Sequence, residues 1–275
     1  MILGYTEFSF GYAITENLVR SSAICPTGAP VFPNLVQEAR LGYDVRIDLP
    51  GVPMFFQFKL PSKMVKNNAR EVAQLGLAGI NTPFFRMPLM RRDKSPQHQH
   101  LIDWERRFPN CVYYASPTFQ HMEDFNAAYV AGTVHIQTAY FSPLAIGPLP
   151  DDTQHNVSYA HDLSVAYRCS EPISIESRGF QKVAGTLETE LSSRGTEELD
   201  ESVDRVLSDV RELIPAKIRD AEDEIRGRLV QRRSSIADER ILDERTREVS
   251  EKLLVARELA RIGMGVELVM AQPRN

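Results

Sequence analysis

Cysteine is scarce in this sequence. Cys25, Cys111 and Cys169 stand far apart and form no CxxC pair. That excludes a cysteine-rich structural zinc site and a disulfide scaffold, and an odd count without a pairing pattern suits a reducing cytoplasm. Long apolar runs are missing as well. No stretch approaches the roughly 18–20 apolar residues that span a bilayer, so no membrane helix is expected. The opening residues Met1 to Phe8 lack the basic segment of a secretion signal, and the expectation is a soluble, cytoplasmic protein. Excess basic charge is absent: 32 Lys and Arg face 37 Asp and Glu, a net charge of −5. This argues against a protein that coats nucleic acid without specificity, and argues less against an enzyme whose site must itself hold cations. No Walker A, GxGxxG, GxSxG or EF-hand pattern occurs, so no NTP hydrolysis is expected of the chain alone.

Charge and proline divide the chain. Residues 1–176 carry 30 charged side chains and residues 177–275 carry 39, although the first stretch is much the longer. Fifteen of the 17 prolines lie before residue 176, leaving Pro215 and Pro273 beyond it. We therefore expect a mixed α/β domain over 1–176 and a charged helical domain over 177–275. In the latter, Leu199, Val203, Val206, Leu207, Val210, Leu213 and Ile214 recur at helical spacing, and Pro215 interrupts the helix. Ile241, Val249, Leu253, Ala256, Leu259 and Ala260 make a second stripe, closed at Gly263. Such helices with dense Arg/Glu pairing form antiparallel hairpins or subunit seams, so a homo-oligomer or a partner subunit is expected through this region.

The most informative stretch runs from Gly42 to Lys59. Tyr43, Val45 and Ile47 alternate with Asp44, Arg46 and Asp48; after Leu49-Pro50-Gly51, Met54, Phe56, Phe58 and Leu60 alternate with Phe55, Gln57 and Lys59. Period-two alternation on both sides of a Pro-Gly turn predicts a β-hairpin. A turn centred on Pro50 and Gly51 sets Asp44 opposite Gln57, and Lys59 shares their face. An acid, an amide and a lysine then stand above a sheet whose other face is apolar. Lys59 alone would ordinarily read as an edge-strand lysine facing solvent, but its apolar neighbours Phe56, Phe58 and Leu60 predict an inner strand. Downstream, the sequence predicts helices over Ala69–Leu77, Gln97–Arg107 and Phe119–Val130, and strands over Cys111–Ala115 and Val134–Phe141. A third strand of the first meander is expected between Phe84 and Leu89 or before residue 30. His98 and His100, two apart, are expected at the surface or at a helix start. His121-Met122-Glu123 lacks the Pro-Cys-x-x-Cys that a zinc deaminase needs.

Asp44 followed by Gln57-Phe58-Lys59 resembles the core of the PD-(D/E)XK nuclease superfamily, in the Gln-x-Lys branch typified by Mrr-like restriction enzymes. The resemblance covers roughly the first 150–160 residues. Tyr43 stands where the motif has proline, and Gln57 where it usually has a second acid. It implies a restriction-endonuclease-like α+β core, a mixed sheet flanked by helices, ahead of the all-helical C-terminal region. It further implies Mg²⁺ or Mn²⁺ held by Glu38, Asp44, Gln57 and the Phe58 carbonyl, with Lys59 assisting the attacking water. Glu38 enters because an acid on a helix before the core strand often completes the site. The implied activity is metal-dependent phosphodiester hydrolysis, of DNA before RNA, in a restriction or antiviral-defence setting.

Arg86, Arg91, Arg92 and Lys94 form a basic run beside Phe84 and Phe85 that suits contact with nucleic-acid phosphates, or, more plainly, a solvated loop, and Lys63 extends the basic character near the proposed site. The alternative to an enzyme is a non-catalytic binding or assembly subunit on a nuclease-like fold, acting through its helical C-terminal region.

Overall fold

The computed structural model describes residues 4–21, 52–193, 199–233, 244–264 and 266–271, and the chain divides into two compact units. The first comprises Met1–Ser21 and Phe56–Leu187, the second Ser22–Phe55 and Glu188–Asn275. The fold is mixed α/β with helices flanking its sheets and a helical C-terminal region.

The first unit opens with α1 (Glu7–Ser21). Phe10, Ala13, Ile14 and Asn17, spaced as one helical face, are all buried. Strand β1 (Val52–Phe58) enters this unit at Phe56 and lies beside β4 (Val112–Pro117), which lies beside β5 (Thr138–Phe141). Every residue of β4 is buried, the mark of a strand covered on both faces. It pairs antiparallel with β5, Tyr114 opposite Phe141 and Ser116 opposite Ala139. A second sheet is antiparallel throughout, in the order β2 (Ser62–Met64), β3 (Phe84–Pro88), β6 (Asn156–Ala160), β7 (Ala166–Arg168), β8 (Ile173–Ile175). Tyr159 joins the sheets: its ring lies 5.1 Å from that of Phe141, and its hydroxyl bonds the Ser116 hydroxyl (2.9 Å) and the Pro117 carbonyl (2.8 Å).

Several expectations are revised. A strand does occupy Phe84–Pro88, but it belongs to the second sheet and not to a meander with β1. The strand expected from Val134 begins only at Thr138, because the Ile136 and Gln137 amides both donate to the Thr133 carbonyl and close a turn. The helix expected from Phe119 begins at Met122 as α4 (Met122–Val130), and that over Ala69–Leu77 shrinks to α2 (Arg70–Ala73). Helix α3 (Gln97–Arg107) lies where expected. His98 on it is not a surface residue: it is 3% exposed, with Nδ1 on the Tyr114 hydroxyl (2.9 Å) and Nε2 on the Gly147 carbonyl (2.8 Å). Burial holds its pKa below the ordinary value, which suits a neutral ring between those two partners.

In the second unit, β9 (Glu267–Ala271) neighbours β1, whose residues 52–55 belong here. Helix α7 (Leu199–Leu213) buries Val203, Val206, Leu207 and Val210, and α10 (Glu244–Met264) buries Val249, Val255, Ala256, Leu259 and Ala260. The pairs Asp200–Arg245 and Asp204–Lys252, each 2.8 Å, and the approach of Gly263 to Ile214 rise together along both helices. These two therefore run parallel and do not form the antiparallel hairpin that was one of the two arrangements expected. Pro215 ends α7 and caps α8 (Ala216–Arg219); α9 (Glu222–Arg233) follows.

A buried ion pair fixes the second sheet. Arg86 and Ser158 face each other across β3 and β6. Both bond the 2% exposed Glu71 of α2, Arg86 through two guanidinium nitrogens and Ser158 at 2.8 Å. Burial by itself raises the Glu71 pKa, but the bonds from Arg86 and Ser158 and the Arg86 charge outweigh it and hold the carboxyl below its usual range. A depressed folded-state pKa contributes stability that is complete above the unfolded-state value and is lost as pH falls through the folded-state value. We expect Glu71→Gln to cost about 3 kcal/mol at neutral pH. It should also remove part of the acid-side loss of stability, measured by denaturant unfolding across the acid range; an unchanged acid slope contradicts this account.

Candidate active site

Residues Gln57 and Lys59 are brought to one edge of the first unit by β1. Phe56 and Phe58 point the other way and build an aromatic layer: the Phe56 ring lies 6.3 Å from Tyr113 and 6.0 Å from Tyr140. The apolar opposite face expected from the sequence is therefore present. On one side the Lys59 amide donates to the Ala115 carbonyl at 3.1 Å, carrying the β4 contact past the strand's end.

Both polar side chains are largely buried, Gln57 at 7% and Lys59 at 9% exposure. The Gln57 Nε2 donates to the Phe58 carbonyl at 3.2 Å. Its Oε1 is buried with no hydrogen-bond partner among the described residues. A buried, unpaired carbonyl oxygen forgoes a stabilising contact, and a hard cation is one group that would satisfy it. The Lys59 ammonium lies 3.8 Å from the Glu7 carboxylate, close enough for an ion pair and too far for a hydrogen bond.

Glu7 enters from α1, an element that sequence reasoning passed over. The available signal was the recurrence of Phe10, Ala13, Ile14 and Asn17 on one helical face. The helix is held along its length. Tyr5, just before it, donates to the Phe119 carbonyl at 2.8 Å and stacks on Phe125. Phe10 meets Phe58 edge-on at 5.8 Å, and Asn17 accepts from the Val134 amide at 2.9 Å.

Glu38 and Asp44, with the first arm of the expected hairpin, lie outside the described residues. Among the described residues no group of three His, Cys, Asp or Glu side chains could hold a metal ion. The basic run separates. Arg86 is taken up by Glu71, Arg91 pairs with Asp93 and Arg92 with Asp152 (2.7 Å each), and Lys94 is exposed. Lys63 lines a cavity of about 480 Å³. No protein-family model, no curated protein and no solved structure matches this chain.

Gly11 sets the approach of α1 to β1. A Cβ there would lie 2.8 Å from a Phe58 ring carbon. Gly11→Ala gains about 1 kcal/mol of helix propensity. It should nonetheless lower stability by about 1–3 kcal/mol through overpacking. Urea unfolding of both proteins checks this; equal or greater stability in the variant would show that the ring gives way freely.

Proposed function

We propose that the chain is a metal-dependent nuclease hydrolysing phosphodiester bonds, with DNA as the favoured substrate. The observation that supports this reading most is the burial of Gln57 and Lys59 side by side at the end of β1. The lysine faces a carboxylate, and the amide oxygen is buried without a donor. Gln57 Oε1 and the Phe58 carbonyl suit an oxygen-ligated Mg²⁺ or Mn²⁺, and Asp44 and Glu38 are the carboxylates that would complete the set. When bound, such an ion polarises a phosphoryl oxygen and makes a water molecule more acidic. Lys59 orients the attacking water and stabilises negative charge on the phosphate as it develops. Its low exposure strengthens that interaction, because water screens a buried ammonium less. Glu7 holds the flexible lysine stem towards the site.

The direct test is cleavage of supercoiled plasmid, linear duplex, single-stranded DNA and RNA with Mg²⁺ or Mn²⁺, wild type beside Lys59→Ala. We expect metal-dependent cleavage that falls about 100-fold or more in the variant. Calorimetric Mn²⁺ titration should show binding that Asp44→Ala abolishes. Equal background cleavage in both proteins, together with no Mn²⁺ binding, rejects the proposal.

A further inference from the structure

Four residues beyond Lys59, the chain reaches a second feature that the proposed cleavage chemistry does not use. This is the cavity lined by Lys63, about 480 Å³ in volume, within the roughly 300–1,000 Å³ typical of small-molecule sites. Its walls differ in chemistry. Part of the lining is methyl surface, from Ala127 and Ala128 on α4 and Ala131 just after the helix. Lys63 of β2 and His161, whose ring lies 6.0 Å from Phe85, bring cationic and aromatic character. Gln120, Gln137 and Asp124 line it too, with the Gln137 amide nitrogen donating to the Thr133 hydroxyl at 3.1 Å and its carbonyl oxygen able to accept. Asp124, Gln137 and His161 are exposed, so the cavity is reachable from solvent.

Each feature narrows the ligand. A carboxylate in the lining, that of Asp124, disfavours a bare anion such as free phosphate. Three alanines leave room for a flat apolar face and offer it no hydrogen bond. Side-chain amides and carboxylates are the groups that read base edges: Gln pairs with adenine, and Asp accepts from the cytosine amine. Unpaired bases are bound by hydrogen bonds to those edges and by apolar or aromatic stacking, with a cation near the phosphate. Four residues span at most about 14 Å, so Lys63 lies within a few nucleotides' reach of Lys59.

We propose that this cavity takes up one unpaired nucleotide of a nucleic-acid strand, base and phosphate together, next to the phosphate presented to Lys59. The inference rests on the nuclease reading for its choice of strand, and on the cavity's own lining for the ligand class. Lys63 holds the phosphate. The alanine surface accepts the base face, and Gln120, Gln137 and Asp124 meet its edge.

The test uses the full chain in EDTA, where no metal-dependent cleavage intervenes. Nucleoside monophosphates are titrated by ligand-observed NMR. A fluorescent single-stranded oligonucleotide, intact or carrying one abasic position, is titrated by anisotropy. Lys63→Met removes the charge and keeps the stem; Ala127→Trp fills the cavity from an exposed helical position. We expect monophosphate binding to weaken at least tenfold in both variants, and the abasic oligonucleotide to bind wild type as weakly as the intact one binds Ala127→Trp. Equal monophosphate affinity in all three proteins overturns the proposal. So does equal affinity of intact and abasic strands for wild type, which leaves a site for free nucleotides only. Binding in EDTA, with neither cleavage in metal nor calorimetric Mn²⁺ binding, separates the two readings: the cavity then stands and the nuclease assignment falls.

Discussion

The seat of α1 on β1 is the constraint on which the site depends. At Gly11 the helix comes so close to the Phe58 ring that a single added carbon would touch it. Phe10 meets the same ring edge-on, and Tyr5 and Asn17 tie the two ends of the segment to Phe119 and Val134. With the helix held at that depth, Glu7 comes to the ammonium of Lys59. Strand alternation does the rest. Once Phe56 and Phe58 are committed to the aromatic layer with Tyr113 and Tyr140, Gln57 and Lys59 must face the other way. Apolar packing therefore fixes the position of the polar groups proposed for chemistry.

Buried polar groups elsewhere in the first unit serve the fold. Glu105 accepts from the Ser142 hydroxyl at 2.6 Å and the Leu144 amide at 2.7 Å, and so caps α5 (Pro143–Ile146). Burial raises its pKa despite those bonds, so it strains against its charge where Glu71, clamped by Arg86, does not. Arg168 donates to the Ile146 and Pro148 carbonyls, and His98 bonds Gly147 between them, so the chain leaving α5 is pinned from two sides. Gln57 differs from these carboxylates. Its amide nitrogen has a partner, but its oxygen waits for one among the described residues.

The cation-bearing run near residue 90 shows how a cluster in sequence disperses in space. Arg86 points into a buried carboxylate because its cross-strand neighbour Ser158 shares that acceptor. Arg91 and Arg92 find exposed acids at Asp93 and Asp152. Lys63, distant from the run in sequence and on β2 beside β3, lines a cavity.

The sequence by itself determined the local and periodic features. Period-two alternation around Gln57 and Lys59 set both on the face opposite Phe56 and Phe58. Helical spacing marked α7 and α10. What only the tertiary structure decided is pairing across distance. Phe84–Pro88 reads as a strand whichever sheet it joins, and Asn156–Ala160, 72 residues on, decided which. His98 lies on a polar-looking helix, yet the chain around Gly147 closes over it. The parallel course of α7 and α10 follows from ion pairs some 45 residues apart, which no local pattern encodes. Glu7 faces Lys59 across 52 residues because a glycine lets two elements touch, and neither letter announces the other. Alternation and helical spacing are written into neighbouring residues; the partners of a buried face are chosen by the whole chain as it excludes water.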